Sequence, residues 1–192
     1  MGLKILIFKL IITFLLIFFS FASFAENIIK GKAKIIDGDT IHIGKYKIRL
    51  HGIDAPEIKQ TCTINKIIWG CGFESSQALE SIISEEEVRC KIVDIDRYKR
   101  FVAKCFVKNI NLNQYMVQNG WAVAYRYYSD DFIKNEEIAK KNKAGIWQGK
   151  FLDPYLFRKQ QKRYNGRGVG YSENFIKMVN KISKIFGDVT QI

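Results

Sequence analysis

The stretch Ile28 to Leu50, IIKGKAKIIDGDTIHIGKYKIRL, decides the fold class. Ile28 to Ile36 is β-rich and runs into the turn-forming residues Asp37-Gly38-Asp39. Thr40 to Ile43 and Tyr46 to Leu50 read as a second and third short strand separated by Gly44-Lys45.

Downstream, Phe73 to Ser84 carries apolar residues at 73, 79, 82 and 83 with Ala78 beside them, the spacing of a helix against a core. Val88-Arg89-Cys90-Lys91-Ile92 and Phe101-Val102-Ala103-Lys104-Cys105 read as a hairpin that turns around Asp96 to Lys99. Asn113 to Asn119 predicts a short helix stopped by Gly120. Ser129 to Lys143 predicts another, with Ser129, Asp130 and Asp131 as candidate N-caps and Lys140, Lys141 and Lys143 near its end. Strands come first and helices are interspersed without a βαβ rhythm. That order predicts an α+β fold around a small antiparallel barrel.

The chain has 192 residues, enough for one ordinary domain. Its 47% hydrophobic and 26% charged residues exclude wholesale disorder. With 31 Lys+Arg against 19 Asp+Glu the net charge is +12, which suits a polyanionic partner: nucleic acid or an acidic membrane surface. Two histidines argue against a His-rich zinc site.

Residues 1–25 read as a secretory signal. Lys4 and Lys9 precede an uncharged run rich in Leu, Ile and Phe, and Ser23-Phe24-Ala25 places small residues before Glu26. The other reading is an uncleaved membrane anchor. Four cysteines in an exported chain predict disulfides, and four allow three pairings. We favour Cys62–Cys71 and Cys90–Cys105, the second because folding the hairpin about Arg97/Tyr98 sets 90 opposite 105. A four-cysteine zinc site would need paired C-x2-4-C knuckles, which are missing. Beyond Arg158 the chain is first basic, with Lys159, Lys162, Arg163 and Arg167. It then becomes amphipathic from Phe175 to Phe186. This tail reads as a helix packed on the domain or on a partner chain, with an electrostatic arm or an interfacial membrane helix as the alternatives.

Candidate chemistry lies in two segments. Asp37-Gly38-Asp39-Thr40 and Arg49-Leu50-His51-Gly52-Ile53-Asp54-Ala55-Pro56-Glu57 bring acidic side chains to turns and strand ends. Carboxylates converging from separate loops make an oxygen site for a hard cation. In Asp96-Arg97-Tyr98-Lys99-Arg100, two arginines can clamp a phosphate and a tyrosine can stack on a base. His42 and His51 read as packed or surface strand histidines.

Together these segments resemble the staphylococcal nuclease (thermonuclease) family in residue types, order and spacing. Ala122-Val123-Ala124-Tyr125-Arg126-Tyr127 and Ala144-Gly145-Ile146-Trp147 resemble its C-terminal half. The resemblance covers roughly residues 28–150, within an expected nuclease domain at 26–157 and ahead of a tail at 158–192. It implies an OB-fold five-stranded barrel with about three helices and calcium-dependent hydrolysis of DNA and RNA to 3′-phosphate ends. It also implies a monomer with no obligate protein partner. Asp39, Asp54 and the backbone carbonyl of Ala55 would hold Ca2+. Arg49 and Arg100 would hold the scissile phosphate, and Glu57 would be the general base. Tyr98, Tyr125 and Tyr127 would line the nucleotide pocket. The family usually has glycine where Lys99 stands, so a left-handed turn there would strain this chain. A non-catalytic OB-type nucleic-acid-binding module is the alternative, but all five of Asp39, Arg49, Asp54, Glu57 and Arg100 are present. Location follows from the N-terminus: secreted or in the periplasm or cell envelope if cleaved, membrane-tethered if not.

Overall fold

Period-two burial builds the barrel. The computed structural model describes residues 27–166, with side chains through 163. The expected signal segment and the amphipathic part of the tail lie outside the described residues. Strand β1 (Ile28–Ile35) pairs antiparallel with β2 (Thr40–Ile43), and β2 pairs with β3 (Tyr46–Leu50). β7 (Glu87–Ile95) and β8 (Phe101–Val107) form the expected hairpin, and β7 also pairs with β1. Parallel pairing of β3 with β8, Arg49 opposite Val102, closes a five-stranded barrel. Ile41, Ile43, Ile48, Leu50, Val88 and Ala103 point inward as the alternation requires.

Smaller elements surround the barrel. β4 (Ile53–Asp54) pairs with β10 (Val123–Ala124). β5 (Cys62–Ile64) pairs with β6 (Ile67–Trp69), and β9 (Ile110–Asn111) extends β8. The helices are α1 (Cys71–Ile83), α2 (Leu112–Gln118), α3 (Ile133–Lys141) and α4 (Pro154–Gly166), with a 3-10 turn at Gly145–Gln148. Among the described residues no helix is long and apolar enough to cross a membrane.

Both favoured disulfides are present. Cys90 and Cys105 are register partners on β7 and β8, with Cα atoms 4.0 Å apart, and both are fully buried in the barrel. Asn113 of α2 is also fully buried. Its Oδ1 accepts from the Cys105 N–H at 2.9 Å, and its Nδ2 donates to the carbonyls of His51 (2.8 Å) and Ala103 (3.1 Å). One amide side chain thus satisfies backbone groups at the seam where β3 meets β8.

Two helix expectations change. Phe73 of α1 is half exposed, and the buried face is Ser75, Ser76, Leu79 and Ile83. α3 starts at Ile133 without a side-chain cap. Two of the candidate caps are otherwise engaged: Ser129 Oγ accepts from the Asp131 N–H at 3.1 Å, and Asp131 pairs with Lys104 at 2.7 Å. Phe132 is buried, its ring close to Gly52.

Glu136 of α3 ties this helix to β10. Its Oε1 accepts from the Ala124 N–H at 3.0 Å, and its Oε2 meets Arg126 and Lys140, each at 2.6 Å. Burial pushes the carboxyl up, but Arg126, Lys140 and the Ala124 amide outweigh it and hold it below the ordinary 4.5. A depressed carboxylate stabilises the fold above 4.5 and loses that contribution as pH falls through its folded value. Glu136→Gln keeps an acceptor for Ala124 but loses the charge, and is expected to cost about 2 kcal/mol at pH 7. Urea denaturation is expected to show the gap to the parent closing as pH drops below 4.5.

Candidate functional site

The site forms where the β1–β2 turn, the end of β3 and the β4 loop meet at one mouth of the barrel. Turn residue Gly38 is there because there is no room for more: a Cβ would lie 2.0 Å from Ser75 Oγ and 2.8 Å from the Ala55 Cβ. This close approach seats the Asp37-Gly38-Asp39 turn on α1 and on the β4 loop. Asp37 Oδ1 accepts from the Asp39 N–H at 2.9 Å and sets the turn.

Asp39 is buried and uses both oxygens. Oδ1 accepts from Thr40 Oγ1 at 2.9 Å and from Arg49 Nη1 at 2.5 Å, and Oδ2 accepts from the Ala55 N–H at 3.0 Å. Arg49 Nη2 donates to Asp54 Oδ1 at 2.9 Å and to the Ile53 carbonyl at 3.1 Å. One guanidinium therefore bridges two buried acids. Arg49 can do so because its neighbours Ile48 and Leu50 point into the barrel, which turns its own side chain outward.

Electrostatics follow from this packing. Burial pushes Asp39 up, but Arg49, the Ala55 amide and Thr40 outweigh it and hold it below the ordinary carboxylate range. Burial raises Asp54, against the pull of Arg158 and Arg49. Asp37 is pushed up to about 7, first by burial and then by the charge of Asp39. Burial works against the charge on Arg49, but Asp39 and Asp54 raise it overall. His51 lies outside this cluster, and burial and Lys104 lower its imidazole.

Glu57 is about one-third exposed and lies beyond Asp54 in the same loop. Tyr125 follows β10 and is held by its N–H to the Gly52 carbonyl at 2.9 Å. Its ring centroid lies 6.0 Å from the Arg49 guanidinium carbon. Tyr127 is 80% exposed. Tyr128, which the sequence reading passed over, packs edge-on against both rings, 5.1 Å from Tyr125 and 4.9 Å from Tyr127.

The hairpin tip carries Tyr98 and Arg100. Arg100 Nε donates to Asp96 Oδ2 at 2.8 Å and Nη2 meets the same oxygen at 2.7 Å. Among the described residues, none of its hydrogen bonds or ion pairs reaches Asp39, Asp54 or Glu57. Tyr98 is exposed between Arg97 and Arg100, which lie 4.9 and 5.6 Å from its ring centre. Lys99 takes the left-handed φ of 61° that the turn demands, so the expected strain is present.

A second guanidinium comes from an unexpected place. Arg158 of α4 donates from Nη2 to Asp54 Oδ2 at 2.8 Å and from Nη1 to Glu57 Oε1 at 2.9 Å. The expected boundary between domain and tail, at 157/158, falls inside this helix. Sequence gave only a basic run as a signal, and the partners lie about a hundred positions upstream.

The donors are all oxygen, as a hard cation prefers. Among the described residues no group of three or more ligating side chains forms a ready cage. Asp39 and Asp54 nevertheless suit such an ion chemically: burial and the charge of Asp39 raise the proton affinity of Asp54, and a cation would relieve that. Remaining ligands would come from backbone carbonyl, such as that of Ala55, and from water. Arg49→Ala would leave Asp39 short of its main counter-charge. Urea denaturation of metal-free protein at pH 7 is expected to show a loss of about 3 kcal/mol, partly restored by adding Asp39→Asn.

The family model described as staphylococcal nuclease homologue matches residues 47–149. An uncharacterized endonuclease of Haemophilus influenzae is 31% identical over 164 residues, covering 80% of this chain and 87% of that protein. The succinoglycan biosynthesis protein ExoI of Rhizobium meliloti is 37% identical over 131 residues, 66% of this chain and 68% of that protein. "Probable staphylococcal-like nuclease CAN3" of Oryza sativa subsp. japonica is 31% identical over 127 residues, 65% of this chain but only 31% of that longer protein.

Proposed function

Because this chain belongs to the staphylococcal nuclease homologue family, we propose that it is an exported, calcium-dependent nuclease that hydrolyses DNA and RNA to 3′-phosphate ends. The observation that carries the reading is the bridge from Arg49 to Asp39 and Asp54, with Glu57 and Tyr125 beside it. The nuclease and endonuclease names of relatives support it. Two disulfides and the signal-like residues 1–25 support export to an oxidising compartment.

Phosphodiester hydrolysis needs an activated water, a held phosphate and compensation of growing negative charge. Glu57, partly exposed, would take the water's proton. As the water oxygen bonds to phosphorus, the P–O5′ bond breaks and its electron pair leaves with the 5′ oxygen, which is then protonated. One water is consumed, and a 3′-phosphate and a 5′-hydroxyl result. Arg49 offers planar donors to the phosphate oxygens from a position set by two acids. Asp39 and Asp54 would hold Ca2+, which supplies Lewis-acid stabilisation of the phosphoryl charge. Tyr125 and Tyr127 offer faces to a neighbouring base.

The test uses purified residues 26–192 with single- and double-stranded DNA and with RNA, in calcium, in magnesium or in chelator. Calcium-dependent cleavage to 3′-phosphate ends is expected. Glu57→Gln is expected to lower kcat by about 10²–10⁴-fold. Salt-sensitive binding by folded protein without cleavage would replace this reading with a binding module.

A further inference from the structure

Arg158 lies nine residues beyond the end of the matched family region, yet it touches both the cation carboxylate and the general base. Its position is built. Thr63 and Lys150 exchange two backbone hydrogen bonds of 2.8 Å, which run the segment ahead of α4 along the disulfide-closed loop 62–71. Gln60, fully buried, donates from Nε2 to the Leu152 carbonyl at 2.6 Å, and its own N–H donates to the Glu57 carbonyl at 2.6 Å. Asp153 Oδ1 then caps α4 by accepting from the N–H groups of Tyr155 (2.9 Å) and Leu156 (3.2 Å). Pro154, Phe157, Arg158 and Gln161 form the helix stripe turned toward the domain. The turn that carries Glu57 and the helix that carries Arg158 are therefore tied together through Gln60.

We propose that Arg158 is a catalytic phosphate-binding residue, a guanidinium that works opposite Arg49. The assignment rests on the nuclease reading above. Arg49 takes Asp54 Oδ1 and Arg158 takes Oδ2, so the two guanidinium groups flank one carboxylate. Arg158 also reaches Glu57, the group that must face the attacking water. A phosphate bound against Asp54 and Glu57 therefore comes within reach of Arg158.

Charge favours its staying in place. Asp39, Asp54 and Glu57 against Arg49 and Arg158 leave one net negative charge. A divalent cation reverses this to one net positive charge, which matches one phosphodiester. Without Arg158 the same site would be neutral and its hold on the substrate weaker.

The experiment compares the full mature chain with Arg158→Ala and Arg158→Lys. Three quantities are read: cleavage kinetics with calcium, calcium affinity by calorimetry, and the affinity of a 3′,5′-bisphosphorylated nucleoside with calcium present. Arg158→Ala is expected to lower kcat/KM by about 10²–10³-fold and to weaken the bisphosphate at least tenfold, with calcium bound no more weakly than by the parent. Arg158→Lys is expected to recover part of both losses, and circular dichroism of this variant checks the fold. Unchanged kinetics and bisphosphate affinity would overturn the assignment and leave the nuclease reading standing. Faster cleavage at limiting calcium would make Arg158 a blocking counter-ion and overturn it as well. Weaker calcium binding would reduce it to a support for Asp54 and Glu57. A parent protein that cleaves nothing would remove the nuclease reading and this assignment together.

Discussion

The site depends on the closure of β3 onto β8. Pairing Arg49 with Val102 puts Ile48 and Leu50 inside the barrel and turns Arg49 outward, between Asp39 and Asp54. A slip of one residue would reverse every side chain on β3 and bury a guanidinium in the apolar interior. Burial of Ile48 and Leu50 therefore enforces the register that presents the arginine. Asn113 adds a polar lock by satisfying backbone groups on both sides of the seam.

The acids are buried for a related reason. Gly38 lets the β1–β2 turn approach α1 closely enough to place Asp39 over the Ala55 amide. Two adjacent buried carboxylates are costly without opposite charge. Arg49 and Arg158 supply it from opposite ends of the chain, and each uses the planar fork that suits carboxylate and phosphate alike. A site held by arginines is thus also prepared for a phosphodiester.

The disulfides serve different parts of the structure. Cys90–Cys105 lies in the barrel core and joins strands that already pair. Cys62–Cys71 closes the loop that aligns the approach to α4, so it bears on Arg158 more than on the barrel. Glu136 has a comparable local task, joining α3 to β10, the strand that pairs with Asp54 and leads into Tyr125.

From sequence alone, the first three strands, the β7–β8 hairpin, both disulfides and the cluster of Asp39, Arg49, Asp54 and Glu57 could be read. Those features are local: alternation, turn residues and short spacings carry them. The start of α3 could not be read, because Ser129 and Asp131 find partners of their own and Phe132 packs beside Gly52. The engagement of Arg100 with Asp96, across its own turn, is a side-chain contact that hydrophobic pattern does not reveal. Arg158 needed the tertiary structure most. Its partners are set by a path from the Cys62–Cys71 loop through Gln60 and Asp153, and no periodicity links residues about a hundred positions apart. Local pattern determines which strands and turns form, while the packing of distant segments decides which charges meet.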